Sequence, residues 1–372
     1  MLIGVPKEIK NHEYRVGLTP ESVAELKAHG HELLVESGAG LGIGADDDAY
    51  RQAGAEIIDD VENVFAQAEM IVKVKEPQAI ERAMLRKGQI LYTYLHLAPD
   101  PEQTKDLVAS GAVCIAYETV TDSQGGLPLL KPMSQVAGRM AIQAGATALE
   151  KSKGGRGVLL GGVPGVVPAK VVVIGGGVVG FNAAQMATGM QADVSILDRN
   201  PDVLEHLSNH FGATAKVLYS SKATLEAEVL AADMVVGAVL IPGAAAPKLV
   251  RRDMLSQMKP GSVLVDVAID QGGCFETSKA TTHENPVYQV DGVNHYCVAN
   301  MPGGVARTST YALNIATLPH AIAIANKGWQ QALCDDPHLR NGLNVCNGQV
   351  TYKAVADDLN YNYIAAEIAV AG

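Results

Sequence analysis

"KVVVIGGGVVGFNAAQMATGMQADVSILD", residues 170–198, predicts a strand, a tight turn, a helix and a second strand in succession. Gly175, Gly177 and Gly180 form the pattern GxGxxG directly after the first apolar strand, and Asp198 follows Gly180 by 18 residues. Glycine at these positions permits the tight turn, a close approach of backbone to a pyrophosphate, and close packing of helix on strand. The stretch therefore predicts a βαβ unit that binds a dinucleotide, in preference to a plain glycine-rich turn.

The start of that helix and the end of the second strand specify the cofactor further. Val178 and Val179 begin the helix, whose unpaired N–H groups and positive dipole end favour phosphate. Asp198 can accept hydrogen bonds from ribose hydroxyls and would repel a 2′-phosphate, which favours NAD over NADP. Arg199, the next residue, could instead face a 2′-phosphate, so NADP stays open as an alternative.

Strand-like and helix-like segments alternate on both sides of this stretch, over residues 1–120 and 170–300. A glycine- and proline-rich linker at 121–134 and a long helix at 135–153 are predicted between them. The alternation predicts an α/β fold of two Rossmann-like, doubly wound domains with parallel sheets and an active-site cleft between the domains. The tail after Thr308 is predicted to be mainly helical and to return to the first domain. The expected bounds are 1–128 plus 306–372 for a discontinuous substrate domain and 129–305 for the NAD-binding domain.

Composition excludes several classes of protein. The 372 residues are 48% hydrophobic and 19% charged, with a net charge of −11, which predicts large cores and no basic patch for nucleic acid. No stretch has the roughly 18 consecutive apolar residues that a membrane span needs, and the first residues lack a signal-peptide pattern. Five cysteines without CxxC spacing indicate reduced thiols. We therefore expect a soluble, cytoplasmic protein.

Ionisable side chains follow strands of the first domain, at the end where doubly wound sheets bind ligands. Arg15 lies in the loop after the first strand, Lys75 ends a strand predicted at 69–76, and His96 ends the strand in "QILYTYLH" (89–96). Because these strand ends meet at one edge of the sheet, we expect two cations and one titratable base to lie close together. Such a group suits a small anionic substrate.

Two predicted strands of the second domain also end in polar residues. The strand at 262–270 ends at Asp270, and the strand at 296–300 ends at Asn300. A carboxylate and an amide at that edge suit a nicotinamide ring held above the anion. Asp270 could instead cap the turn that follows it, and Asn300 could be only a turn residue before Met301.

The residues of the first domain have plainer interpretations as well. Arg15 could be a surface charge, and Lys73 and Lys75, two apart on a strand, could both be solvated. His96 taken alone fits a buried structural histidine better than a proton carrier.

Motifs of other enzyme classes are missing from the sequence, which holds no GxSxG and no HExxH. His206 and His210 are four residues apart on a predicted helix, but two histidines without a third ligand are weak support for zinc. We therefore expect no metal site.

Several motifs together resemble the bacterial alanine dehydrogenases, in that family's order and over essentially the whole chain. They are "GVPKEIKNHEYRVGLTP", "KVKEP", "YLHLA", "PMSQVAGRMA", "GGVPGV", "VDVAIDQGGCFE" and "VANMPGGVARTSTYAL". The opening motif also resembles the soluble part of proton-translocating transhydrogenases and the saccharopine-type dehydrogenases. "PMSQVAGRMA" and "VDVAIDQGGCFE" favour the alanine dehydrogenases.

The resemblance implies a role for each candidate. His96 is the implied acid/base, and Asp270 is a second essential polar group near the reacting carbon. The substrate would be bound by Arg15, Lys75 and Met133. Besides the glycine motif with Val178, Val179 and Asp198, the cofactor would be contacted by Ser134, Ser220, Val239, Leu240, Val267, Ile269, Asp270, Asn300 and Met301. Val203 stands where relatives commonly carry a basic residue, so one contact on the adenosine side is in doubt.

The implied activity is NAD-dependent oxidative deamination of L-alanine to pyruvate and ammonia, and the reverse amination, by a homo-oligomer that is commonly a hexamer in this family. Histidine changes charge near neutral pH, which suits proton transfer to and from the carbinolamine. The alternatives are an opine- or saccharopine-type dehydrogenase and a transhydrogenase-like module that binds NAD without turnover.

Overall fold

The structure is a computed structural model that describes residues 1–239 and 246–371. The chain separates into two units, one of Met1–Met133 with Val305–Gly372 and one of Ser134–Gly304. The predicted domain boundaries stood at 128/129 and 305/306. Among the described residues, no helix is both long enough and apolar enough to cross a membrane.

Strands and helices of the described residues are numbered in chain order. The strands are β1 (Leu2–Val5), β2 (Glu32–Glu36), β3 (Glu56–Ile58), β4 (Met70–Val72), β5 (Ile90–Thr93), β6 (Val113–Ala116), β7 (Lys170–Ile174), β8 (Asp193–Asp198), β9 (Ala215–Tyr219), β10 (Met234–Gly237), β11 (Val263–Asp266), β12 (Val287–Val290), β13 (Val293–Tyr296), β14 (Leu343–Cys346) and β15 (Gln349–Val350). The helices are α1 (Pro20–Ala28), α2 (Asp47–Gln52), α3 (Val61–Gln67), α4 (Ala79–Arg82), α5 (Pro101–Ser110), α6 (Lys131–Ala148), α7 (Val178–Gly189), α8 (Pro201–Phe211), α9 (Lys222–Ala231), α10 (Arg252–Leu255), α11 (Ala306–Lys327), α12 (Trp329–Asp335), α13 (Pro337–Arg340), α14 (Lys353–Leu359) and α15 (Ala366–Ala371).

The sheet of the first unit runs in the order β15-β14-β6-β5-β4-β1-β2-β3. Strands β1 to β6 are parallel, and their order is that of a doubly wound fold, which reverses between β1 and β4. The central strands are apolar throughout because both faces of the sheet are covered. The C-terminal tail adds β14 and β15 antiparallel at one edge.

The sheet of the second unit repeats this order as β12-β13-β11-β10-β7-β8-β9. All neighbours are parallel except the edge strand β12, which pairs antiparallel with β13. The prediction of an α/β fold with two doubly wound domains is confirmed. Each sheet is largely parallel, as expected, with antiparallel pairing confined to strands at one edge.

Several predicted elements have the wrong bounds. The strands predicted at 69–76 and 89–96 end at Val72 and Thr93, so Lys75 and His96 lie in the loops that follow them.

The strand predicted at 262–270 ends at Asp266, because the Asp266 carboxylate accepts the Ala268 N–H and caps a 3₁₀ turn over Val267–Gln271. The strand predicted at 296–300 ends at Tyr296, since the backbone of 297–299 turns away to pair with Thr281.

The helix predicted at 135–153 is α6, which begins four residues earlier, inside the predicted linker, and ends at Ala148. Pro132 is compatible with that start, because proline lacks only an N–H that the first helical turn leaves unpaired.

Candidate functional site

Arg15 lies in the loop after β1, beside the point where the strand order of the first sheet reverses. Its side chain is only 2% exposed, and Glu13 binds it with both carboxylate oxygens, Oε1 to Nε at 2.6 Å and Oε2 to Nη2 at 2.5 Å. Burial by itself lowers the pKa of Arg15, but the hydrogen bonds and charge of Glu13 raise it above its usual value. The interpretation of Arg15 as a surface charge is therefore wrong.

Met133, the third residue that was predicted to contact substrate, touches Arg15 directly. The Arg15 Nη1 lies 3.1 Å from the Met133 Sδ, and Met133 is itself 6% exposed. Glu13 thus takes the Nε–Nη2 edge of the guanidinium, and Met133 lies at the other end. The structure brings these two predicted residues together and adds Glu13, which the sequence prediction missed.

Lys75 follows β4 at the same edge of the sheet. Its side chain is 15% exposed, and its Nζ lies 3.9 Å from the Glu76 Oε2. Glu76 also forms an ion pair with Lys10. Burial raises the pKa of Glu76, but the charges of Lys75 and Lys10 outweigh it, so the pKa falls below the usual value. Lys75 therefore has an anionic neighbour and limited contact with solvent.

Lys73 corrects one sequence alternative, that Lys73 and Lys75 are both solvated. Lys73 is fully buried, and its Nζ lies 2.6 Å from the Glu81 Oε1 and 3.2 Å from the Glu8 Oε2. Although burial lowers the pKa of Lys73, the two carboxylates raise it above its usual value, so the ammonium stays charged. Lys73 is thus part of a buried ionic cluster.

His96 follows β5 and is 44% exposed at its side chain, so the interpretation as a buried structural histidine is wrong. Its backbone adopts a left-handed conformation, with φ at 51°, which is uncommon for a residue other than glycine. The Glu118 carboxylate accepts the N–H groups of His96 at 2.6 Å and of Leu95 at 3.2 Å. The same carboxylate lies 3.9 Å from the His96 Nδ1. Glu118 therefore holds the strained turn and faces one side of the imidazole.

Tyr94 connects these groups and was treated in the sequence prediction only as a strand residue. Its ring stacks on the His96 imidazole, with centroids 5.8 Å apart and planes 5° from parallel, and its hydroxyl donates to the Leu129 carbonyl at 2.6 Å. Burial raises the pKa of Tyr94 far above its usual value, although the nearby charge of Arg15 lowers it. The hydroxyl thus stays protonated.

Glu118 and Tyr94 each carried a sequence signal that was not used. Glu118 comes two residues after the end of β6, at the same carboxyl edge as the other candidates. Tyr94 comes one residue after the end of β5 and two before His96. Examining every strand end for polar residues, including the last parallel strand, would have found both.

In the second unit, the glycine motif connects β7 to α7. Gly175 has φ at 99°, in the region that favours glycine. A Cβ on Gly180 would lie 1.8 Å from the Gly175 carbonyl oxygen, so only glycine lets α7 pack this closely on the turn. Gly177 precedes the first residue of α7, and a Cβ there would meet no atom within 4 Å. The helix N-terminus, with Val178 and Val179, therefore faces open space.

Asp198 ends β8 and is fixed by three backbone groups. Its carboxylate accepts the N–H groups of Gly176 at 2.6 Å, Arg199 at 2.7 Å and Asn200 at 2.9 Å. Arg199 directs its Nε to the Ser220 carbonyl at 3.2 Å, and Ser220 itself is 7% exposed. The carboxylate and the arginine thus lie together at the ends of β8 and β9.

The other predicted cofactor residues follow β10, β11 and β13. Val239 comes two residues after β10, and Leu240 lies outside the described residues. Val267, Ile269 and Asp270 lie in the 3₁₀ turn after β11, where Asp270 is exposed.

The alternative that Asp270 caps the turn is wrong, because the capping carboxylate is that of Asp266. Asp266 also accepts the N–H groups of Cys274 at 2.9 Å and Phe275 at 3.3 Å. This fully buried residue, which the sequence prediction passed over, shapes the loop that carries Asp270.

Asn300 also has a left-handed backbone, with φ at 64°, and its carbonyl lies 3.0 Å from the His283 Nε2. Met301 beside it is 2% exposed. Ser134 lies in the first turn of α6 and is half-buried. His96 and Asn300, two residues that follow parallel strands in different sheets, thus share a backbone conformation that is uncommon outside glycine.

His206 and His210, which were weighed as metal ligands, both contact the Phe181 ring, with centroids 5.6 and 4.6 Å away. Within residues 1–239 and 246–371, no group of three or more His, Cys, Asp or Glu side chains is arranged to hold a metal ion.

Comparison with known proteins finds two family models that together span most of the chain. The N-terminal domain of the alanine dehydrogenase/PNT family matches residues 4–137, and its C-terminal domain matches residues 141–353. An alanine dehydrogenase of Halomonas elongata is 60% identical over 366 residues, covering 98% of this chain and 99% of the relative. One of Bacillus subtilis is 57% identical over 371 residues, covering 100% of this chain and 98% of the relative.

Solved structures give the same result. A structure of an L-alanine dehydrogenase is 50% identical with a TM-score of 0.94, and the match covers 97% of this chain and 99% of that one. A transhydrogenase from Sinorhizobium meliloti is 27% identical with a TM-score of 0.81, covering 95% of this chain and 100% of that one. The similarity to the dehydrogenases is thus the greater of the two.

Proposed function

The chain belongs to the alanine dehydrogenase/PNT family, and on that premise we propose that it is an NAD-dependent dehydrogenase that converts L-alanine to pyruvate and ammonia, and the reverse. The observation that carries the proposal is the group of side chains at the carboxyl edge of the first sheet. Three adjacent strands, β1, β4 and β5, are each followed by one of these groups. They are a buried guanidinium, a lysine of limited exposure and an exposed histidine in a strained turn.

Arg15 and Lys75 would bind the substrate. Because Glu13 and Met133 hold the Arg15 guanidinium in place, a substrate carboxylate would meet a donor group of fixed orientation. Glu13 also neutralises the charge of Arg15, so the positive charge that balances the substrate would come from Lys75. The fixed guanidinium is preorganised, and less entropy is lost when a planar anion binds.

His96 would move the proton. Its Nδ1 side faces Glu118, so Nε2 is the nitrogen we assign to the substrate. There it would take a proton from the water that adds to the imine carbon and give one to the nitrogen of the resulting carbinolamine, whose C–N bond then breaks to release ammonia. Glu118 fixes the backbone on which the imidazole is carried. A positioned acid/base of this kind contributes roughly 10²- to 10⁴-fold to a rate.

The residues of the second unit fit a dinucleotide. Open space at Gly177 leaves room for a pyrophosphate at the N-terminus of α7, and the fixed Asp198 carboxylate suits ribose hydroxyls. When bound, NAD would accept the α-hydrogen of the substrate as hydride. Asp198 disfavours the 2′-phosphate of NADP, and Arg199 is already engaged with the Ser220 carbonyl. We therefore assign NAD, with Asp270, Asn300 and Met301 on the nicotinamide side.

One assay tests this function. The purified chain is given L-alanine with NAD or NADP, and pyruvate with ammonia or with lysine, while the absorbance of the reduced nucleotide is followed. We expect turnover with alanine and NAD, and with pyruvate and ammonia. Turnover only with lysine would favour a saccharopine-type enzyme, and cofactor binding without any turnover would favour a transhydrogenase-like module.

A homo-oligomer, commonly a hexamer in this family, and a cytoplasmic location complete the proposal. Light scattering of the purified chain tests the first, and cell fractionation tests the second.

A further inference from the structure

The ionic cluster of Glu8, Lys73 and Glu81 lies beneath Lys75 and takes no part in the chemistry proposed above. The three side chains are between 0 and 2% exposed, and a single ammonium is shared by two carboxylates. Such clusters often stabilise a fold no better than apolar residues of similar size. The position of this one therefore calls for an explanation other than stability.

The second oxygen of Glu8 supplies that explanation. While Oε2 binds Lys73, Oε1 accepts the backbone N–H of Val74 at 2.6 Å and that of Lys75 at 3.3 Å. Strand β4 ends at Val72, so these two N–H groups lie beyond its regular ladder. A buried carboxylate, itself held by Lys73, thus fixes the segment that carries Lys75.

The carbonyl groups of the segment that carries Lys75 are bound by the end of β5 and the residue after it. The Thr93 hydroxyl, fully buried, donates to the Lys75 carbonyl at 3.0 Å, and the Tyr94 N–H donates to the Val74 carbonyl at 3.3 Å. Both the N–H and the C=O of Lys75 are therefore bound by buried side chains, one from each neighbouring segment.

We propose that Glu8 and Thr93 are positioning residues, which hold the backbone of Lys75 so that its ammonium is directed at the substrate. The proposal rests on the function proposed above, in which Lys75 binds the substrate. Neither residue touches the substrate in this scheme. They act on the backbone of Lys75, and this fixes the position from which its side chain extends to the substrate.

Glu81 provides a matched control. Like Glu8, it is buried and bound to Lys73, but its second oxygen accepts the Gln78 N–H at 2.7 Å and does not contact Lys75. Glu8→Gln and Glu81→Gln each remove one carboxylate from the same ammonium, so both should lower the Tm by a similar amount. Only the first alters the acceptor of the Lys75 N–H.

The experiment measures KM for pyruvate, KM for the nucleotide, kcat and Tm in the full chain. We expect Glu8→Gln to raise the KM for pyruvate about tenfold and Glu81→Gln less than about twofold, with the nucleotide KM unchanged in both. Thr93→Val should raise the pyruvate KM roughly threefold, and Thr93→Ser, which keeps the hydroxyl, should restore it. The two Thr93 variants decide the matter if Glu8→Gln does not fold.

Equal effects of Glu8→Gln and Glu81→Gln on the pyruvate KM, or a Thr93→Val variant that behaves as wild type, would overturn the proposal. Lys75→Ala separates this from a failure of the proposed function. If Lys75→Ala raises the pyruvate KM while the Glu8 and Thr93 variants do not, only the positioning role is lost. If Lys75→Ala has no effect, the assigned role of Lys75 fails as well.

Discussion

The two sheets share one strand order and use it in opposite ways. At the first reversal point, the loop after β1 supplies charged side chains, with Arg15 held by Glu13. At the second, the loop after β7 supplies almost only backbone, through Gly175, Gly177 and Gly180. A shared topology thus places two candidate sites in equivalent positions, while the loop residues decide whether each one offers side-chain cations or N–H groups.

His96→Ala should abolish proton transfer at the carboxyl edge of the first sheet and leave cofactor binding at the carboxyl edge of the second sheet intact. We call these the first edge and the second edge. We expect kcat to fall by roughly 10²- to 10⁴-fold, because the proton carrier is lost. Binding of NAD, measured by fluorescence titration, should be nearly unchanged. His29→Ala, on the exposed end of α1, is the control and should keep full turnover. An unaltered kcat in His96→Ala would remove His96 from the mechanism.

Gly180→Ala should have the opposite effect: it should weaken binding of the cofactor, because it changes only the second edge. The added Cβ would lie 1.8 Å from the Gly175 carbonyl, and overpacking of this kind costs about 1–3 kcal/mol. The NAD Kd should therefore rise roughly ten- to a hundredfold, with a lower Tm.

Gly189→Ala is the control in the same helix, because a Cβ there meets nothing within 4 Å. It should leave both quantities close to wild type. Equal effects of the two glycine variants would show that the packing of Gly180 on Gly175 does not govern cofactor binding.

Arg15→Lys tests whether the first edge depends on geometry or only on charge. Lysine keeps the charge but cannot make the two parallel contacts with Glu13, so we expect the pyruvate KM to rise about tenfold, while the NAD Kd stays constant. Steady-state kinetics with each substrate varied in turn separates these quantities. A pyruvate KM like that of wild type would mean that any cation suffices there.

The smallest expected effect is the contribution of His295 to the loss of stability of the second unit at low pH. His295 is fully buried between the Thr277 hydroxyl at 2.7 Å and the Val293 carbonyl at 3.0 Å, and burial lowers its pKa. As the pH falls through about 6.5, a histidine in the unfolded chain takes up a proton, whereas the folded ring stays neutral. The unfolded state then binds more protons, so the free energy of unfolding decreases with falling pH.

We expect the urea midpoint of the second unit to fall between about pH 7 and about pH 5, and His295→Gln to flatten that slope. His206→Gln, at an exposed position of α8, is the control. A slope that His295→Gln leaves unchanged would assign the acid sensitivity to other groups.

Much of this architecture could be predicted from local patterns. The glycine motif, the apolar parallel strands and the cations at strand ends are short-range signals, because each depends on residues close together in sequence. The candidates Arg15, Lys75 and His96 were predicted in this way. The side chains that contact these three residues were not predicted, because those contacts depend on which strands lie side by side in the sheet.

What escaped prediction involves distant partners. Glu118 is 22 residues from His96, whose N–H it binds, and Glu8 is 67 residues from Lys75. β14 and β15 were missed within a tail that we expected to be mainly helical, because both are short and β14 depends on pairing with the distant β6, while β15 pairs with β14. The strand ends early at Asp266 because the carboxylate of that residue accepts N–H groups from the loop that follows it.

The place of β14 beside β6 has a consequence for the order in which the chain folds during synthesis. The second unit is one continuous segment, and every strand described for it has been made once residue 304 has left the ribosome. The sheet of the first unit, although six of its strands are made first, keeps the edge of β6 uncovered until residues 343–346 emerge. An uncovered strand edge favours pairing with other chains. During synthesis the N-terminal segment therefore exposes the edge of β6 until nearly the whole chain has been made.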